Sequence, residues 1–85
     1  MKLVIEKAAA RRLRMIPRKV AEAIMANLEA IAADPFGRHP QAKALKGTKS
    51  GFCLRHGGWR ALYRVDRAAE TVYVEAMKSR GGAYR

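Results

Sequence analysis

The sequence predicts an α+β fold: a two-helix pair packed on one face of a mostly antiparallel four-stranded sheet, in the order β-α-α-β-β-β. Three observations predict it. A short apolar run, Leu3-Val4-Ile5, opens the chain. An apolar stripe at helical spacing follows. The last third then consists of β-branched and aromatic runs broken by Gly57-Gly58 and by a polar turn. With 85 residues, the chain is expected to form one small domain.

Each element has its own warrant. Residues 2–6 are apolar and short, as an N-terminal strand is. Residues 7–16, KAAARRLRMI, are rich in Ala and Arg, which are good helix formers. Pro17 ends that segment and suits the opening of another helix. Val20, Ile24, Leu28 and Ile31 then mark one face of an amphipathic helix, which Asp34-Pro35 stops. Residues 35–51 read as a long basic loop with a helical turn near 42–45. Residues 52–55 and 60–65 flank HGGW as a hairpin, and residues 71–77, TVYVEAM, form the last strand.

Charge points to a class of partner. The net charge is +11, from 18 Lys and Arg against 7 Asp and Glu. No acid lies between Asp34 and Asp66, whereas seven basic residues do. Such a basic stretch attracts polyanions, nucleic acid above all. The single cysteine, Cys53, excludes an internal disulfide and fits a cytoplasmic setting. Cys53, His39 and His56 lack the spacing of a zinc site, so neither metal nor cofactor is expected. No apolar segment is long enough for a membrane span, so no membrane partner is expected.

The hairpin concentrates the charge. With Gly57-Gly58 as a two-residue turn, His56 faces Trp59 and Arg55 faces Arg60. Alternation then places Phe52, Leu54, Ala61 and Tyr63 on the helix side, and Arg55, Arg60 and Arg64 on the other. Like charges directly opposed destabilise a sheet by up to about 1 kcal/mol. Stability does not account for the pair, whereas a phosphate-bearing ligand clamped by two guanidiniums does.

The residues of this hairpin also carry a family resemblance. KALKG followed by FCLRHGGWRALYRV, within residues 43–65, resembles the "L-K-G … Y-x-L-R-x-G-x-Y-R-x-x-Y-x-V" run of the RelE/ParE superfamily of toxins from type II toxin–antitoxin modules. The last strand, TVYVEAMKSR, and the closing AYR are similar to the family's as well. The RelE-like branch, which the basic sheet face favours, implies a ribosome-dependent endonuclease that cuts mRNA in the A site without metal. The ParE-like branch implies an inhibitor of DNA gyrase. A third reading is an attenuated homologue that binds its antitoxin without catalysis. The resemblance further implies a cognate antitoxin protein as partner, with operator DNA reached only through the complex.

Residue by residue, Arg55 and Arg60 match the family's strand arginines, and Arg60 the one that stabilises the cleaved phosphate. Lys78 or Arg80 matches a basic residue near the end of the last strand. Tyr84 matches a C-terminal tyrosine that stacks on a base and aids proton transfer. Lys43, Lys46, Lys49 and Arg64 are the expected RNA-binding cations. In-line cleavage by the 2′-OH needs charge support for a dianionic phosphorane, which preorganised cations supply. A general acid and base are harder to find: the strand-region carboxylates are Asp66, Glu70 and Glu75, and His56 is expected on the face opposite the arginines.

Overall fold

The computed structural model describes residues 1–48 and 50–79. The elements run β1 (Lys2–Ile5), α1 (Lys7–Leu13), α2 (Arg18–Ala33), β2 (Ala42–Ala44), β3 (Gly51–His56), β4 (Trp59–Asp66) and β5 (Thr71–Ser79). The strands form one sheet in the order β1-β5-β4-β3-β2. β1 pairs with β5 in parallel, and every other pairing is antiparallel.

The sheet therefore has five strands, not the expected four. The added strand is β2, where a helical turn was expected. Ala42-Lys43-Ala44 is too short for its own periodicity to declare a state. It takes strand geometry from the edge of β3, with Lys43 opposite Cys53. Backbone bonds Arg55 N–H to Gln41 O and Leu45 N–H to Gly51 O, each 2.9 Å, clamp its two ends.

Local chemistry sets the helix boundaries. Pro17 caps α2 in an extended conformation (φ −51°, ψ 139°), and its carbonyl accepts the first helical bond, from Ala21 at 2.9 Å. At the other end Asp34 has left the helical region (φ −152°, ψ 75°). Its successor is Pro35, whose ring disfavours a helical residue before it.

The core lies between the helices and one sheet face. The stripe of α2 delivers Ile24, Leu28 and Ile31, each at most 1% exposed, against Leu54, Ala61, Tyr63 and Val65 of β3 and β4. From β5 come Val72, Val74 and Met77, and Ala9 of α1 closes the layer. Phe52 stacks on Tyr63 at 5.3 Å between ring centroids. Burial pushes the Tyr63 phenol up to about 12, with the Cys53 thiol adding to the effect.

One irregularity shapes the rest. The β4–β5 register pairs Tyr63 with Val74 and Leu62 with Ala76, leaving Glu75 without an opposite number. This is a bulge. Strict alternation after Val72 and Val74 would turn Met77 outward and Lys78 inward. The extra residue reverses the phase: Met77 is 5% exposed, and Lys78 stands in solvent.

Candidate nucleic-acid interface

The hairpin register is residue for residue that expected: Phe52–Tyr63, Cys53–Leu62, Leu54–Ala61, Arg55–Arg60 and His56–Trp59. Gly57, at φ +57°, supplies the left-handed residue of the turn. The pairing continues into β5, where Arg60 stands opposite Lys78. Arg55, Arg60 and Lys78 thus form one row across three adjacent strands, all exposed, on the face away from the helices. Strands lie about 4.8 Å apart, so the row spans roughly 10 Å. Among the described residues the ion pairs involve only Arg18 and Arg64, so no carboxylate offsets the row.

Two residues along the strands lies a second row: Lys43, Cys53, Leu62 and Ala76. Lys43 is exposed; the other three are half-buried and form an apolar floor. Two residues further lies Arg64, opposite Tyr73. Its setting differs from that of the first row. Arg64 Nε donates to Glu75 Oε2 at 2.8 Å, and Nη1 lies 3.9 Å from Asp66 Oδ2. Its guanidinium also sits 4.2 Å over the Tyr73 ring. The bond to Glu75, foremost, holds its pKa above the usual arginine value. Arg64 therefore shares the face with Arg60, but two carboxylates offset its charge.

The other expected positions divide. Lys46 is exposed on the β2–β3 turn, at the end of β3 away from Arg55. Thr48 braces that turn: its hydroxyl donates to Leu45 O at 3.0 Å and accepts from Gly51 N–H at 3.1 Å. Lys49, Arg80 and Tyr84 lie outside the described residues. His56 is on the helix side, as expected. With Asn27, Ile31, His39, Pro40, Gln41 and Leu54 it lines a cleft of about 380 Å³. Tyr63 faces the core, and its raised pKa removes it as a base near neutrality.

Two residues of this face, Glu75 and Tyr73, take a role toward Arg64 that their positions in the sequence do not announce. Glu75 and Tyr73 immobilise Arg64, yet they lie 11 and 9 positions along the chain from it. A signal for Glu75 was present: Val72, Val74 and Met77 are out of phase for one strand face, which requires an extra residue between them.

Among the described residues no helix is long and apolar enough to cross a membrane. No family model and no curated protein matches the chain. Solved structures do. The isolated RelE toxin of E. coli superposes with a TM-score of 0.83 at 18% identity, covering 98% of this chain and 87% of that one. The archaeal RelE–RelB complex of Pyrococcus horikoshii gives 0.81 at 21% identity, over 96% and 97% of the two chains. A YoeB/ParE toxin of Agrobacterium tumefaciens gives 0.77 at 20% identity, over 93% and 98%. Over nearly its whole length, the chain has the fold of the RelE-like toxin superfamily.

Proposed function

We propose that this protein is the toxin of a toxin–antitoxin pair, and that it acts as a ribosome-dependent endoribonuclease cleaving mRNA without metal. The observation that carries the reading is the row of Arg55, Arg60 and Lys78, opposed across three strands with no carboxylate partner among the described residues. A row of like charges has a use when a polyanion crosses it. Arg60, at the centre, is placed to meet a phosphate from either neighbour's side. Its planar donors suit the equatorial oxygens of a phosphorane, and Arg55 and Lys78 add field without proton transfer. Lys43, one row away, would hold the next stretch of backbone, with Lys46 further along the strand. Arg80 and Tyr84 complete the assignment as cation and proton-transfer group. The ribosome supplies positioning, which lets a site with a thin acid–base inventory act.

The cognate antitoxin enters by likeness to the RelE–RelB complex of P. horikoshii. A carboxylate-bearing segment laid over the same row would neutralise it, and operator DNA would be reached through that complex.

The test is a translating extract programmed with a defined mRNA. Cuts should appear only while ribosomes translate. Arg60→Ala should reduce cutting by a hundredfold or more, in line with the loss of one preorganised donor, with an unchanged circular dichroism spectrum. Cutting by that variant at the wild-type rate overturns the assignment. Gyrase inhibition, which the resemblance to the ParE-like branch implies, is the second reading, and a YoeB/ParE toxin of A. tumefaciens shares the fold. Trapped DNA breaks in a purified gyrase supercoiling assay would establish it instead. Growth arrest by neither route, together with tight antitoxin binding, would mark an attenuated homologue.

A further inference from the structure

The Arg64 cluster does not resemble a phosphate clamp. A cation meant for phosphate is best left unpaired, as Arg55 and Arg60 are among the described residues. Arg64 is held by Glu75 at 2.8 Å and by Asp66 at 3.9 Å, and its guanidinium sits 4.2 Å over the Tyr73 ring. Glu75, two residues after Tyr73, moreover adds a carboxylate beside Asp66 on a face that is elsewhere cationic or apolar. A carboxylate there repels a passing backbone, which is unfavourable for a surface that only tracks phosphates.

Glu75 commits one oxygen, Oε2, to Arg64. Its other oxygen, Oε1, accepts no hydrogen bond among the described residues, and the side chain is 45% exposed. Between this cluster and the cation row lies the floor of Cys53, Leu62 and Ala76, half-buried and without charge. Arg60 to Arg64 spans four residues of β4, roughly 13 Å. The face thus runs from phosphate-type cations, over an apolar floor, to a guanidinium seated on Tyr73 and bonded to Glu75, and a carboxylate with one acceptor unspent. Phosphate contacts position a nucleic acid, whereas acceptors and stacking surfaces aimed at bases discriminate.

We propose that Arg64, Tyr73 and Glu75 form a nucleobase site: an unpaired base stacks on the Arg64 guanidinium, and Glu75 Oε1 accepts a hydrogen bond from the base's exocyclic amino group. The inference rests on the RNA reading of the cation row and deepens it. Arg64 is rigid because Tyr73 underlies it and Glu75 fixes its Nε edge, so little ordering is required when a base arrives. Cytosine, which offers its amino donor beside an acceptor-rich edge, suits a carboxylate best. Uracil has a carbonyl at that position, so it would set two acceptors against each other. Discrimination therefore favours C over U, and it belongs to Glu75 rather than to Arg60.

The test uses equilibrium binding of fluorescein-labelled single-stranded oligocytidylate and oligouridylate to the purified full chain, read by anisotropy. The wild-type protein should favour oligocytidylate by roughly fivefold or more, the lower bound for one good base contact. Glu75→Gln keeps an oxygen for Arg64 but replaces the free acceptor with an NH2 group, which donates and cannot accept. It should reduce the preference to less than twofold. Arg60→Ala should weaken both oligomers equally and lower the slope of log affinity against log salt by about one. Wild-type binding without discrimination, or a preference that survives Glu75→Gln, overturns the nucleobase site and leaves the RNA reading standing. Failure to bind either oligomer overturns both.

Discussion

Replacing Arg60 with Gln should stabilise the fold while abolishing RNA cleavage. Arg60 is the middle member of the row, with Arg55 opposite on one side and Lys78 on the other. Its removal deletes two adjacent like-charge contacts and leaves only the more distant Arg55–Lys78 pair. Charged ends splayed to about 7 Å in water repel by about 0.6 kcal/mol. Two such contacts amount to about 1 kcal/mol, within the range measured for like charges opposed across strands. For a domain of this size that corresponds to a rise in Tm of roughly 4–8 °C. The gain is electrostatic, so it should shrink as the Debye length falls to about 3 Å near 1 M salt.

The assay is thermal unfolding followed by circular dichroism, at low salt and at 1 M salt. Arg11→Gln serves as control. Arg11 is an exposed cation in the last turn of α1, so its loss changes net charge equally. Its charge, however, favours the helix C-terminus, and no gain is expected. If Arg60→Gln melts below the wild type at low salt, or if its gain is unchanged at 1 M salt, the repulsion argument fails. The functional case for the row would then lose its premise.

Other perturbations test other parts of the structure. Tyr63 ionises near 10 when unfolded and about 12 when folded, so its stabilising effect is complete below pH 10 and is lost as pH rises through 12. The shift amounts to roughly 2–3 kcal/mol, and Tyr63→Phe should flatten the alkaline limb of a denaturation profile by about that amount; an unchanged limb refutes the burial argument. Leu28→Ala, at a fully buried position of α2, should cost about 2–5 kcal/mol in urea unfolding, a large share of the roughly 4–13 kcal/mol expected of so short a chain. Deleting Glu75 should regularise the β4–β5 ladder while keeping Met77 inward and Lys78 outward. A folded protein that still cuts RNA is the expected result, and an unfolded one would show that the bulge serves the fold itself.

Legibility in the sequence followed the range of the interactions. The α2 stripe and the hairpin register were readable because Ile24, Leu28 and Ile31, or Arg55 and Arg60, report on themselves through spacing and a Gly-Gly turn. A slip of one residue would have buried arginines, so only one register was consistent. β2 was not readable: three residues carry no pattern, and their state is imposed by the open edge of β3. The partners of Arg64 come from another strand, and the sequence carried only an indirect trace of them, the odd spacing from Val74 to Met77. Of the candidate site, the arginine pair could be derived and Lys78 could be named as its extension, whereas the position of Lys78 directly opposite Arg60 is given by the β4–β5 pairing.

That reversal links the two faces of the sheet. The core needs Val72, Val74 and Met77 on one side, and the outer row needs Lys78 on the other. A flat strand can meet the first demand only if the last apolar residue falls an even number of positions after Val74. It falls three after. The extra residue at Glu75 reconciles the two faces at the cost of one unpaired backbone step, and it does so beside Arg64, where the displaced side chain becomes useful. The same bulge that buries Met77 therefore turns Lys78 into the cation row at one end of the face, while Glu75 stays beside Arg64 at the other. A sheet with helices on one side leaves its second face open, and here that open face inherits its chemistry from a correction the core required.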